Sequence, residues 1–334
     1  MQKDTSTSSA GEGSSGSSES IQDLASRVAD LRGSIEKVIR GKSEIVTLAL
    51  VSLFSEGHLL IEDVPGVGKT MLAQALALSL DASFRRIQFT SDLLPSDIIG
   101  VSVFNPSTSD FEFKRGPLFA NVVLADEINR STPKTQSALL EAMNEAQVSV
   151  DETSHVLPQP FIVLATQNPV EYHGTYPLPE SQLDRFLMSI RMGYPDEESE
   201  KEILRSQQIS HPIYDVERVL SRDEVKRIQL EVRSVRIDPS LTDYLVRLSA
   251  ATRNSDELTL GTSPRGTLLL QRAAQARALV SGRNYMIPDD VKAVALPVLA
   301  HRVVPRSRAS LGAGRGREAE DVLAYILETL PVPL

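Results

Sequence analysis

Residues 58–70 read HLLIEDVPGVGKT. A short apolar run, His58–Glu62, meets a glycine-rich turn, Pro65-Gly66-Val67-Gly68-Lys69-Thr70, and a helical stretch from Lys69 to Leu80, with Met71 in its first turn, follows at once. Strand, turn and helix in that order suit a phosphate-binding loop. Backbone N–H groups can converge on phosphate oxygens there, glycines let the chain come close, and the helix N-terminus contributes its positive dipole end. Lys69 would neutralise the β and γ oxygens of ATP, and the Thr70 hydroxyl would ligate Mg²⁺. One position departs from the pattern G-x-x-x-x-G-K-[ST]: the first glycine is replaced by Asp63, so the loop must turn there without one.

Downstream, Val122–Ala125 (VVLA) is a continuous apolar run, as expected of a strand buried on both faces, and it ends in Asp126-Glu127. Ligands of an open parallel sheet sit at the carboxyl ends of its strands, which would turn both carboxylates toward the phosphates. Asp126 is placed to hold Mg²⁺, largely through water, and Glu127 to orient and polarise the attacking water. The run Phe161–Ala165 (FIVLA) leads into Thr166-Gln167-Asn168-Pro169. Asn168 is the candidate for a neutral group holding that water in line, although Asn-Pro is also a common turn-forming pair.

Around these motifs the texture alternates. Ile21, Leu24, Ala25, Val28 and Leu31 follow helical spacing, weakened at Gly33, and a second apolar set (Ile35, Val38, Ile39) ends at Gly41. A helix is expected over Ser43–Phe54, and strands over Phe84–Phe89 and, more weakly, Phe186–Met192. Strands interleaved with helices imply a parallel sheet covered on both faces. Past Tyr194-Pro195 only helical periods remain. The division expected is a tail over 1–20, an α/β core over 21–193 and a helical domain over 194–334.

The first 20 residues, rich in Ser and Gly, cannot offset their ordering entropy by burial and are expected to be disordered. Of the 334 residues 41% are hydrophobic, enough for a sizeable core, and 44 acidic against 35 basic side chains leave a net charge of −9. That balance disfavours non-specific nucleic-acid binding by the whole surface. Cysteine is absent, which excludes disulfides and thiolate metal sites. No run reaches the about 18 apolar residues of a membrane helix, and no signal-peptide core opens the chain, so a cytoplasmic location is expected. The five histidines (His58, His155, His173, His211, His301) have no zinc-like spacing and are assigned to no metal.

Taken in order, Lys69-Thr70, Asp126-Glu127, Asn168, Leu183-Asp184-Arg185-Phe186 and Ser263-Pro264-Arg265 resemble the AAA+ ATPases. The wording around them (EDVPGVGKT, LLPSDIIG, FKRGPLFANVVLADEINR, TPKTQSALLEAM, ATQNP, LPESQLDRF, GTSPRG) is similar to the MoxR family in particular. The resemblance implies an α/β P-loop core with an all-helical C-terminal lid. It also implies a homo-oligomeric ring, usually hexameric, that hydrolyses ATP with Mg²⁺ at sites shared between subunits. Arg185 matches the arginine finger that enters the neighbouring site. Arg265 matches the second sensor, acting in its own subunit or the next. Val38, Ile39 and Gly41 match the segment that packs on adenine.

Two further segments look characteristic of this branch, where such elements line the pore or face partners. Asn105–Arg115 resembles the insert within the second helix, and Gln147–Leu157 reads as a hairpin. Arg130 and Lys134 could reach a neighbour's nucleotide or pair with Glu127 or Glu141. The activity implied is chaperone-like remodelling of partner proteins, often ones with a von Willebrand factor A domain. The ATPase subunit of a magnesium-chelatase-like complex is an alternative. A DNA-acting motor is a weaker one, since the stretch containing Arg302, Arg306, Arg308, Arg315 and Arg317 better suits a solvated loop or subunit contact.

Overall fold

A computed structural model describes residues 21–168, 175–206, 212–306 and 314–333; the expected tail, His173, His211 and Arg308 lie outside the described residues. Helices α1 (Ile21–Glu36) and α2 (Ser43–Phe54) lead into β1 (Leu59–Glu62), α3 (Lys69–Ser79), β2 (Phe84–Gln88) and α4 (Pro95–Ile99). Two strands follow, β3 (Gly100–Asn105) and β4 (Asp110–Arg115), and then β5 (Val122–Asp126) and α5 (Pro133–Glu145). After β6 (Gln147–Val150), β7 (Thr153–Val156) and β8 (Ile162–Gln167) come α6 (Glu180–Leu183) and β9 (Met188–Ile190). The remainder comprises α7 (Glu197–Ser206), α8 (Arg222–Ser234), α9 (Pro239–Asn254), β10 (Leu258–Leu260), α10 (Pro264–Val280), α11 (Pro288–Leu299), β11 (Val304–Pro305) and α12 (Gly314–Thr329).

Five strands form one parallel sheet in the order β2-β5-β8-β1-β9. Because successive strand residues point to opposite faces, the strands feed two apolar cores. Leu59, Ile61, Val122, Leu124, Ile162 and Leu164 enter one, while Leu60, Val123, Ala125, Val163 and Ala165 enter the other. The first core runs without a break through α1, α2 and α3 into the helical part, reaching Leu270, Val294 and Leu323. No helix among the described residues is long and apolar enough to cross a membrane.

The structure departs from the sequence reading in two places and sharpens it in others. Helix α1 continues through Gly33, because burial of Val28, Leu31 and Ile35 outweighs a glycine cost of about 1 kcal/mol. The segment Asn105–Arg115, expected to resemble an insert, lies in an antiparallel hairpin of β3 and β4, with Phe104 against Phe111 near its tip. The helical part also holds an antiparallel pair, β10 with β11, too short to give a two-residue period in sequence. Finally, Arg302 does not belong to a solvated basic stretch. Its side chain is 2% exposed and bound to Asp184, and burial pulls its guanidinium down to about 10, against the raising effect of Asp184. The expected hairpin at Gln147–Leu157 is present as β6 and β7.

Two polar side chains fix the strand ends that carry the loop. His58, buried just before β1, accepts from the Val163 N–H at Nδ1 (3.0 Å), which leaves Nε2 to donate to the Met143 carbonyl (2.9 Å). It thereby ties β1 to β8 and α5 as a neutral imidazole. Asp63, also buried, accepts from the Gly193 N–H at 2.6 Å and from its neighbour's N–H, Val64, at 2.8 Å. A carboxylate thus stands where other phosphate loops have glycine, and it anchors the loop to the chain leaving β9.

Each anchor gives a measurable outcome. Desolvation lowers the His58 pKa from 6.5 to about 4, so the unfolded chain binds the extra proton between those values. The stabilisation is complete above pH 6.5 and is lost as pH falls toward 4, by about 2 kcal/mol between pH 7 and pH 5. Urea midpoints at those two pH values should therefore converge in His58→Gln relative to the native chain; an unchanged difference would exclude this role. Asp63→Ala removes both acceptors and should cost about 2 kcal/mol in the same assay, whereas a loss under about 0.5 kcal/mol would mean that the anchor carries little.

Candidate functional site

The carboxyl ends of the strands are in register. Gln88 pairs with Asp126 and Glu62 with Gln167, which sets one polar edge along the sheet. A cleft of about 340 Å³ opens above it, lined by Pro65, Gly66, Gly68, Lys69, Thr70, Met71, Arg86, Gln88, Asp126, Glu127 and Asn168. Five parts of the chain thus meet there: the loop, the start of α3, and the ends of β2, β5 and β8.

The loop conformation follows from its glycines. Gly66 and Gly68 have φ of +87° and +99°, a region that side chains disfavour, and Gly68 caps α3. Lys69 donates to the Asp63 carbonyl at 2.7 Å. Burial lowers the Lys69 pKa, and the charges of Asp126, Asp63 and Glu127 oppose that shift, so these carboxylates and the ammonium share one electrostatic neighbourhood. Val67 does not join the lining and packs instead against the apolar core.

At the end of β5 the Thr166 hydroxyl organises both acidic residues. It donates to Asp126 Oδ1 at 2.5 Å and accepts from the Glu127 N–H at 2.9 Å. Glu127 takes φ +57°, an uncommon left-handed conformation outside glycine, which turns its side chain out of the strand and into the cleft. Strain of this kind persists where surrounding bonds over-determine it, and it clusters at functional sites. Glu127 Oε2 accepts from Gln88 Nε2 at 2.8 Å and from Arg130 Nη1 at 3.0 Å. Arg86 donates to Asp126 Oδ2 at 2.6 Å from Nη2 and 3.2 Å from Nε. Asn168, buried at the end of β8, completes this wall.

Sequence reasoning missed Arg86, Gln88 and Thr166. Arg86 and Gln88 sit on β2, and Thr166 reaches the site from β8, so only the parallel pairing of these strands with β5 reveals their role. The one sequence signal was polar residues on strands ending at the same edge. Of the two choices left open for Arg130, the structure displays the pairing with Glu127, while Lys134 is exposed.

The remaining candidates are not among the residues that line the cleft. Val38 and Ile39 are buried in the core, and Gly41, at φ +67°, abuts Ser199. Arg185 follows α6, half-buried, and among the described residues its guanidinium has no hydrogen-bond partner. Arg265 donates to Asn144 Oδ1 at 2.9 Å and lies 3.8 Å from Asp184 Oδ2. Arg265 thus lies beside Asp184, the residue before Arg185, and neither arginine lines the cleft.

Comparison with known proteins agrees with this geometry. The ATPase family associated with various cellular activities (AAA) matches residues 58–188, and the AAA lid domain matches residues 250–323. The chain is 50% identical to uncharacterized protein YeaC of Bacillus subtilis over 300 residues, covering 90% of this chain and 93% of the relative. It is 43% identical to chaperone MoxR1 of Mycobacterium tuberculosis over 279 residues, covering 81% and 74%. A crystal structure of a protein from Cytophaga hutchinsonii superposes with a TM-score of 0.86 at 39% identity, covering 94% of this chain and 97% of that one. With a phosphate loop, an acidic strand end and a helical lid in one continuous match to these relatives, the chain belongs to the MoxR family of AAA+ ATPases.

Proposed function

We propose that this chain hydrolyses ATP with Mg²⁺ as one subunit of a homo-oligomeric ring, six subunits being the expected number, and that the cycle reshapes a partner protein. The observation that carries this reading is the division of the site. Lys69, Thr70, Asp126, Glu127 and Asn168 line one cleft, while Arg185 lies outside it with no partner for its guanidinium among the described residues. A cleft that gathers the loop, the acidic pair and Asn168, in a chain whose Arg185 guanidinium lies apart with no partner among the described residues, suits assembly between subunits.

The residues of the cleft fit nucleotide and metal. Lys69 and the N–H groups of Pro65–Thr70 that remain outside the helix would hold the phosphates, Pro65 itself contributing only its fixed turn. Thr70 and Asp126 offer the hard oxygen ligands that Mg²⁺ prefers. Among the described residues no group of three or more His, Asp or Glu side chains could hold a metal, which suits an ion whose other oxygens come from phosphates and water. Bound there, the ion would supply charge neutralisation. Glu127 orients the attacking water, and Asn168 keeps it in line with the γ-phosphorus. Reaching this task requires Glu127 to exchange its contacts with Gln88 and Arg130 for the water.

Arg185 serves the neighbouring subunit, where a fixed planar cation matches the charge spreading over the transferring phosphoryl group. Arg265, within 3.8 Å of Asp184, acts on that same neighbouring nucleotide. Val38, Ile39 and Gly41 contact adenine. Their turn adjoins the loop through Lys42, which donates to the Tyr194 carbonyl at 2.6 Å, one residue beyond the Asp63–Gly193 bond. The name of the chaperone MoxR1 supports a chaperone-like role, and a protein with a von Willebrand factor A domain is the partner class to examine first.

Steady-state hydrolysis of Glu127→Gln, Arg185→Ala and their equal mixture tests the division. Specific activity should rise with protein concentration, and each variant should lose about 1000-fold. The mixture should recover part of the turnover, because some interfaces then pair an intact Glu127 with an intact Arg185. Activity independent of concentration, with Arg185→Ala silent, would instead describe a monomeric nucleotide switch.

A further inference from the structure

Outside the cleft, Arg302 is a buried charge, its side chain 2% exposed, whose burial the phosphate site does not explain. It closes the 3-10 turn Ala300–Arg302 after α11. Its guanidinium donates to Asp184 Oδ1 at 2.8 Å, to the Asp184 carbonyl at 3.1 Å and to the Leu187 carbonyl at 3.1 Å. It also donates to the carbonyls of Phe186 and Val298. Three of these four carbonyls, those of Asp184, Phe186 and Leu187, bracket Arg185. The fourth, Val298, belongs to α11. One planar fork with five donors therefore joins the helical domain to the backbone on both sides of the finger.

The surroundings reinforce this joint. His301 packs beside it, with Nε2 3.2 Å from the Phe186 carbonyl. A Cβ added at Gly266 would lie 3.3 Å from Arg302 Cδ, so the stem of Arg302 presses on the first turn of α10, next to Arg265. Asp184 receives Arg302 on Oδ1 and faces Arg265 across 3.8 Å on Oδ2. The Arg185 side chain has no such bonds among the described residues, so its location depends on where its backbone is held.

We propose that Arg302 is a positioning residue for the arginine finger: by clamping Asp184, Phe186 and Leu187 it sets the place of Arg185, so that hydrolysis in the neighbouring subunit depends on the disposition of this subunit's helical domain. This rests on the reading of Arg185 as a finger acting in the adjacent site. A movement of α11 relative to the sheet must carry the Arg302 fork with it or break its bonds to the 184–187 segment. Either way the finger shifts without any change in the neighbour's own loop. A displacement of about 1 Å at a reacting group can lower the rate on the order of 100-fold.

Mixed rings separate positioning from folding. Native subunits are diluted in an excess of Glu127→Gln subunits, so that most competent sites face a finger from an inactive neighbour. The excess is then replaced by Glu127→Gln/Arg302→Lys, which keeps a cation beside Asp184 without the fork, or by Glu127→Gln/Asp184→Asn, which keeps the shape without the charge. With either, turnover per native subunit should fall about tenfold or more, in kcat and not in KM for ATP. Ring assembly by sedimentation and binding of a fluorescent ATP analogue should stay as they are with Glu127→Gln alone. Unchanged turnover with an assembled clamp variant overturns the proposal, and so does a fall explained by lost assembly or lost nucleotide affinity in both variants. Glu127→Gln/Arg185→Ala is the control. If it is silent, finger and clamp fail together; if it abolishes turnover while the clamp variants are silent, the clamp alone fails.

Discussion

The hydroxyl of Thr166, held between Asp126 Oδ1 and the Glu127 N–H, is the contact around which the candidate site is arranged. It joins the ends of β5 and β8 where the ladder stops, and it stabilises the left-handed turn at Glu127. Without that turn the strand's alternation would continue, and Glu127 would follow a strand direction instead of leaving it. Everything else at the edge acts on the pair so presented. Arg86 and Lys69 supply positive charge near Asp126, while Gln88 and Arg130 hold Glu127. Cations and N–H donors thus surround the two acidic side chains.

A second constraint lies beneath the edge. The loop can cradle phosphates only if β1 and α3 are held in fixed relation, and that relation comes from burial on both sides. Leu59 and Ile61 lie on one side of β1 and Leu60 on the other, with α3 packed through Leu72, Ala75 and Leu76. The same core extends into α10 and α11, so the helical part is no loosely tethered appendage. Its contact with the sheet domain is largely apolar along α2 and α10, where Arg277 also pairs with Glu44, and ionic at Asp184, where Arg302 and Arg265 converge. The apolar part supplies adhesion without direction, whereas the ionic part fixes a geometry.

Much of this was legible in residue order. Continuous apolar runs at Val122–Ala125 and Phe161–Ala165 require strands covered on both faces, and β5 and β8 are buried along their length. The glycines at 66 and 68, followed by Lys-Thr, required a tight turn opening a helix, and both have positive φ. The polar alternation of Gln147–Leu157 marked a hairpin. The signal failed where structure depends on partners distant in sequence: β10 and β11 are too short to show a period, and the hairpin of β3 and β4 carries its apolar residues on exposed faces. Arg302 failed for the same reason, since a run of arginines reads as solvated until the carbonyls that receive one of them are known.

By itself, then, the sequence determined the elements that local chemistry governs: the parallel α/β core, the phosphate loop, the acidic end of β5 and the helical lid. These follow from periodicity, glycine freedom and the order of motifs, none of which needs a distant partner. Only the tertiary structure decided which polar side chains meet. It brought Arg86, Gln88 and Thr166 to the carboxylates, set Asp63 against Gly193 and buried Arg302 between the finger segment and α11. Hydrogen bonds and ion pairs act over a few ångströms between groups far apart in the chain, so no local pattern records them, and they appear once packing has fixed the distances.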